Sequence, residues 1–188
     1  PYTSSSSPIA GYAPVGAGMP GSHADKVIGV VKAYSTCVGE GPFTCEWFGE
    51  EAEQLRRAGG EYGAATGRPR RVGPLDLVAT RYGVAVQGAT CIALTKIDVI
   101  SYMKEIPICT HYDISGKQVE AFPFPALLEQ AKPVYTTMPG WNCDISGIRE
   151  YEQLPQQAKD YIEYIESALG CPITYVSVGP DRDAIILR

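Results

Sequence analysis

Cys91-Ile92-Ala93-Leu94, followed at once by Thr95-Lys96-Ile97-Asp98, is the stretch on which the fold turns. The short apolar run reads as a central strand, the kind that a parallel sheet buries on both faces. Thr95-Lys96-Ile97-Asp98 leaves that strand at its end, and strand-end loops are where open α/β sheets bind ligands. A Lys-x-Asp pair in this place suits guanine. Its carboxylate can accept both the N1–H and the 2-amino N–H, a pair that adenine does not offer. In this reading Asp98 meets the base edge, while the apolar stem of Lys96 lies along a ring face with its ammonium near oxygen acceptors. A plain turn with a solvated ion pair uses the same four residues.

Outward from this stretch, strands and helices alternate. Residues 26–34 (KVIGVVKAY) are rich in Val and Ile and read as a buried strand that delivers the loop Gly39-Glu40-Gly41-Pro42. Over residues 46–58, Phe48, Ala52 and Leu55 fall at helical spacing, and Gly59-Gly60 supplies a stop. A second helix is expected from Leu75, with Val78, Ala79, Tyr82, Ala85 and Val86 on one stripe. The Arg-rich loop would then lie between two helices, Arg70 and Arg71 just before the second. Residues 106–112 and the segment after Ser115-Gly116-Lys117 read as a hairpin. Leu154, Ala158, Tyr161, Ile162, Ile165 and Leu169 mark a long amphipathic helix, with Pro155 near its start and Gly170 at its end. A strand over residues 172–178 leads from it into Gly179-Pro180. The expectation is an α/β fold: a mostly parallel sheet, flanking helices and an added β-hairpin. It spans residues 1–188 as a single domain or as the C-terminal part of a larger one, with a loop-rich segment over 1–25.

Composition narrows the function classes. The chain has 188 residues, 45% of them apolar, and a net charge of −5, so it can bury a sizeable core and has no general nucleic-acid or membrane surface. Arg68, Arg70 and Arg71 nevertheless form a local positive patch fit for a small phosphate or carboxylate ligand. Cys37, Cys45, Cys91, Cys109, Cys143 and Cys171 are scattered without a C-x-x-C pair, and the two histidines, His23 and His111, match no ligand pattern. Neither zinc nor a disulfide framework is indicated, and reduced thiols in the cytoplasm are the expectation. The start at Pro1 suits an excised C-terminal portion and a natural flexible tail equally well.

Two further segments carry chemistry. In residues 63–71 the small side chains of Gly63, Ala64, Ala65 and Gly67 would let a ligand approach backbone amides, and Arg68 and Arg70 can grip an anion bidentately. Ser177-Val178-Gly179-Pro180 offers a hydroxyl and a bare backbone at a strand end, suited to a flat base. A solvated loop and a plain turn are the bland readings of these two. The run Ser4 to Ser7 could set a hydroxyl on a phosphate. No G-x-x-x-x-G-K-[ST] loop is present, so the phosphate half of a GTP site is missing. Neither histidine is placed for acid–base work.

Taken together, five ordered blocks resemble the adenylosuccinate synthetase family, a C-terminal part somewhat under half the usual chain. They are Val30-Val31-Lys32-Ala33-Tyr34 with Val38-Gly39-Glu40-Gly41-Pro42-Phe43; Glu61-Tyr62-Gly63-Ala64-Ala65-Thr66-Gly67-Arg68-Pro69-Arg70-Arg71; Leu94-Thr95-Lys96-Ile97-Asp98-Val99; Met138-Pro139-Gly140-Trp141; and Ser177-Val178-Gly179-Pro180-Asp181-Arg182. The resemblance implies a P-loop-GTPase-like fold lacking its N-terminal phosphate loop, and a GTP-dependent ligase that joins IMP and L-aspartate through 6-phosphoryl-IMP in purine synthesis.

By the same resemblance, Arg70, Lys96, Ile97, Asp98, Ser177, Val178 and Gly179 would bind GTP. Ser4, Val38 and Arg68 would bind IMP, and Ala64, Ala65, Thr66, Gly67, Arg68, Pro69 and Arg70 would form the loop that closes on aspartate. Mg²⁺ would be held mainly by GTP and by the N-terminal part, which also supplies the family's catalytic Asp and His; a homodimer is implied for the intact enzyme. Cys37, Ala65 and Pro74 stand where many members have Arg, Thr and Trp. A non-catalytic guanine-nucleotide-binding module is the alternative.

Overall fold

The computed structural model describes residues 7–188, and its strands fall into two sheets. A short α1 (Ala13–Gly16) precedes β1 (Ile28–Lys32) and β2 (Tyr34–Cys37); α2 (Gly49–Gly59), β3 (Arg71–Asp76), α3 (Leu77–Gln87) and β4 (Cys91–Thr95) follow. Then come β5 (Glu105–Ile114), β6 (Lys117–Val119), α4 (Pro125–Leu128), β7 (Lys132–Pro139), α5 (Gln156–Leu169), β8 (Ile173–Ser177) and β9 (Ile185–Leu187).

The first sheet runs β1-β4-β8-β9. β4 is parallel to β1, with Lys32 opposite Thr95, and parallel to β8, with Leu94 opposite Val176; β9 closes antiparallel on β8. The CIAL run is thus the centre of a parallel sheet, its Ile92 and Leu94 fully buried. Helix α5 buries Ala158, Tyr161, Ile162, Ile165 and Leu169 in the same core, and Gly170 ends it in a left-handed cap at φ 61°. Each large apolar side chain withdrawn from water contributes about 1.5–3 kcal/mol.

The second sheet corrects the expectation of one mostly parallel sheet. Its order is β2-β3-β5-β6 with β7 on β5, and only the β3–β5 pair is parallel. The strand expected over 26–34 breaks at buried Ala33: its N–H donates to the Thr95 carbonyl (2.9 Å), its carbonyl accepts from the Tyr161 hydroxyl (2.7 Å), and Tyr34 then starts the other sheet. The helix expected from Leu75 starts at Leu77. Residues 71–76 form a strand instead, so Arg71 belongs to β3 and no helix directly follows the Arg-rich loop. Asp76 is the hinge between the two, its Oδ1 accepting from the N–H groups of Val78 and Ala79 at 3.0 and 3.1 Å.

Asp76 also gathers two cysteines that sequence spacing kept apart. Its Oδ2 accepts from the Tyr112 hydroxyl and, at 3.3 Å, from the Cys45 thiol, beside buried Cys109. A bond with Cys109 and burial hold the Cys45 thiol far above its ordinary range, and burial with the Asp76 charge does the same for Tyr112. Both groups therefore stay protonated as donors. All six cysteines are free thiols. Among the described residues no helix is long and apolar enough to cross a membrane.

Candidate functional site

Because β1, β4 and β8 run parallel, their C-terminal ends lie along one sheet edge, and Lys96-Ile97-Asp98 and Ser177-Val178-Gly179 leave from there. At the end of β4 the chain turns through Lys96, whose φ of 61° is an uncommon left-handed conformation for a residue with a side chain. Ile97 is fully buried and pins the turn. Asp98 opens a short 3₁₀ turn, yet its side chain does not cap that turn. Burial raises the Asp98 carboxyl above its ordinary range, against the lowering effect of its own and the Val99 backbone N–H and of Lys96. The structure thus leaves a partly desolvated acceptor pair at the sheet edge.

Next to it, at the end of β8, the Ser177 hydroxyl donates to the Gly179 carbonyl (2.9 Å), while buried Val178 is fastened by its N–H to the Ala184 carbonyl (2.9 Å). A Cβ on Gly179 would lie 3.2 Å from that of Ala184, a tight approach.

The Arg-rich loop is closed by its own backbone. Tyr62 bridges Pro69, the Gly63 N–H donates to the Arg68 carbonyl (2.8 Å), the Gly67 N–H to the Gly63 carbonyl (2.8 Å), and the Arg70 N–H to the Glu61 carbonyl (2.9 Å). Ala64, Ala65, Thr66, Gly67, Arg68 and Pro69 form an exposed tip, whereas Arg70 is partly buried at the stem. Val38 is 79% exposed just beyond β2, in a loop whose Gly39 and Gly41 carbonyls accept from Arg71. Ser4 lies outside the described residues.

What joins the loops is a residue for which the sequence suggested no role. Glu61 is 0% exposed. Its Oε1 accepts from Tyr34 (2.6 Å) and Lys32 (2.9 Å) and lies 3.5 Å from Lys96 Nζ; its Oε2 accepts from Arg70 Nη1 (2.9 Å). The Lys96 ammonium also donates to the Gly59 carbonyl (2.7 Å) at the end of α2. Burial alone would raise the Glu61 carboxyl, but the bonds from Tyr34 and Lys32 and the charges of Lys32 and Lys96 outweigh it, bringing it down to about 2. It is therefore an anion at neutral pH. Arg70 and Lys96, which the sequence places 26 positions apart, share one carboxylate. No periodicity marks Glu61 as buried: it follows Gly60 in a loop, and only the folded contacts reveal it.

A family model described as adenylosuccinate synthetase matches residues 1–186. The chain belongs to the adenylosuccinate synthetase family. The adenylosuccinate synthetase of Frankia alni is 46% identical over 188 residues, covering 100% of this chain and 44% of its own length, and that of Fusobacterium nucleatum is 50% identical over 183 residues, covering 97% and 43%. The chain thus spans somewhat under half the length of these adenylosuccinate synthetases. A solved structure, fully ligated adenylosuccinate synthetase from Plasmodium falciparum, matches with a TM-score of 0.94 at 38% identity, over 100% of this chain and 46% of that one. The mixed α/β fold, with its sheets and flanking helices, is the adenylosuccinate synthetase fold.

Proposed function

We propose that this chain supplies the guanine pocket and the aspartate and IMP loop of an adenylosuccinate synthetase. The whole protein would use GTP to join IMP and L-aspartate. The observation that carries this reading is the convergence at one sheet edge of Lys96-Ile97-Asp98 with Ser177-Val178-Gly179, tied through Glu61 to Arg70. Family membership gives the reaction class, and the chemistry of the residues gives the roles.

In the reaction, the γ-phosphoryl group of GTP passes to O6 of IMP; the aspartate amine then attacks C6, the C6–O6 bond breaks, and phosphate leaves. The products are adenylosuccinate, GDP and phosphate. Asp98, ionised, would accept from guanine N1–H and the 2-amino group, and Ser177 and Gly179 would flank the base. Arg68 and Arg70 would hold carboxylate and phosphate oxygens, orienting aspartate against the activated carbon and offsetting charge as phosphate departs. Val38 would lie beside the IMP ribose.

Among the described residues no cluster of three oxygen ligands stands ready for the Mg²⁺ that the family implies. The one cluster of His, Cys, Asp or Glu close enough to hold an ion among the described residues is Cys45, Asp76 and Cys109, buried and thiol-rich, whereas Mg²⁺ takes oxygen ligands. No step assigned to this chain runs through the ion.

The test is adenylosuccinate formation by the full gene product with IMP, L-aspartate and Mg²⁺, supplied with GTP in one reaction and ATP in another. Product with GTP alone is expected. Guanine-nucleotide binding without product would favour the non-catalytic module, and no discrimination between the two nucleotides would overturn the pocket.

A further inference from the structure

We propose that Glu61 is the positioning residue that makes the guanine turn and the Arg-rich loop act as one unit, by locking Lys96 and Arg70 to a single buried carboxylate. The inference rests on the site reading above. Glu61 cannot touch a ligand itself, since no part of it reaches solvent. Its influence must pass through what it holds.

What it holds comes from separate places in the chain. Lys32 ends β1, Tyr34 starts β2, Arg70 ends the loop, and Lys96 follows β4. One carboxylate thus faces three cations from three segments, and without its charge those cations would repel one another and move apart. The surroundings are shaped for this contact. A Cβ on Gly59 would come 2.3 Å from the Tyr34 hydroxyl, so a bare glycine is needed where α2 meets the cluster. Lys96 keeps its left-handed backbone while its ammonium is moored at both Gly59 and Glu61.

Among the described residues Arg70 is held at one corner: Nη1 donates to Glu61, and Nε is buried with no hydrogen-bond partner among them. A guanidinium gripped in this way has a fixed direction and unused donors, which suits an arginine that must meet an anion. Replacing a buried ion pair by apolar packing is often neutral or stabilising, so stability alone does not explain why charges are gathered here.

The experiment is steady-state kinetics on the full gene product carrying Glu61→Gln, which keeps the shape and the acceptor for Tyr34 but removes the charge and turns an amide N–H₂ toward the cations. KM for GTP and KM for aspartate are each expected to rise about tenfold or more together, with a smaller change in kcat, a lowered GTP:ATP preference and an unchanged circular-dichroism spectrum. Glu61→Asp, which restores the charge on a shorter arm, should recover part of both losses. A folded Glu61→Gln protein with both KM values unchanged, or with only one of them raised, would overturn the proposal. Should neither variant fold, Tyr34→Phe removes one bond to Glu61 and leaves every charge; both KM values should then rise two- to fivefold, and an unchanged pair overturns the proposal. An unaltered protein that forms no adenylosuccinate would overturn the functional reading itself, an outcome separate from these.

Discussion

At the scale of single residues, the site divides into groups whose chemistry is written in their type and groups that only burial defines. Asp98 is of the first kind: a carboxylate after a strand has few readings, and the structure leaves its side chain without a capping duty. On the proposed reading, Asp98→Asn would exchange one acceptor for a donor toward the base edge. The expected result is a loss on the order of tenfold to a hundredfold in kcat/KM for GTP with little change for ATP, read from initial rates. Glu61 is of the second kind. Its carboxyl lies near 2 in the fold against an ordinary 4.5. A lowered folded value stabilises the protein above the unfolded one, and that contribution disappears as pH falls from about 4.5 through 2. It amounts to roughly 3 kcal/mol. Urea midpoints between pH 6 and 3 should therefore fall more steeply for the unaltered chain than for Glu61→Gln, and parallel curves would contradict the assignment.

At the scale of elements, the long helix and the central strand were legible because periodicity and punctuation agree: Pro155 before α5 and Gly170 after it, CIAL between polar neighbours. Strand β3 was not legible. Leu75 matches the apolar stripe of α3, yet it is the last apolar residue of a strand that runs straight into the cap at Asp76. β7 was missed as well, since its sequence KPVYTTMP is mostly exposed or half-buried and carries prolines, as an edge strand does. The joint at Asp76 makes a sharp prediction. Asp76→Ala removes the acceptor for two α3 N–H groups and leaves Tyr112 and Cys45 as buried donors without it. About 3 kcal/mol should be lost, seen as a lowered urea midpoint at an unchanged m-value. A substitution at Gly73 should be as damaging, because a Cβ there would lie 1.9 Å from the Cys45 carbonyl oxygen.

At the scale of the whole molecule, two sheets meet at Ala33, and nothing in the order of apolar runs announced that the chain changes sheets within one residue. Among the described residues the first sheet has two edge strands, β1 and β9, and β1 is the longer. Among the described residues β1 pairs only with β4, and Val30 on it is 73% exposed, Ile28 44%. An unpaired strand with apolar side chains is a template for further pairing. The isolated 188-residue chain is therefore expected to self-associate with rising concentration, and Val30→Lys to shift it toward the monomer in sedimentation; equal behaviour of the two would contradict this. The candidate site was partly readable at the same scale: Lys96, Asp98, Arg70 and Ser177 carry chemistry that suits the proposed roles, whereas their placement depends on strand order and on Glu61, whose burial no periodicity marks.

The central claim is that the turn after β4 reads guanine through Asp98. The most direct measurement compares GTP with ITP, which keeps N1–H but lacks the 2-amino group, as substrates for the full gene product with and without Asp98→Asn. The account predicts that the unaltered protein prefers GTP by roughly tenfold in kcat/KM and that the substitution abolishes the preference. An equal GTP:ITP ratio in both proteins would contradict it.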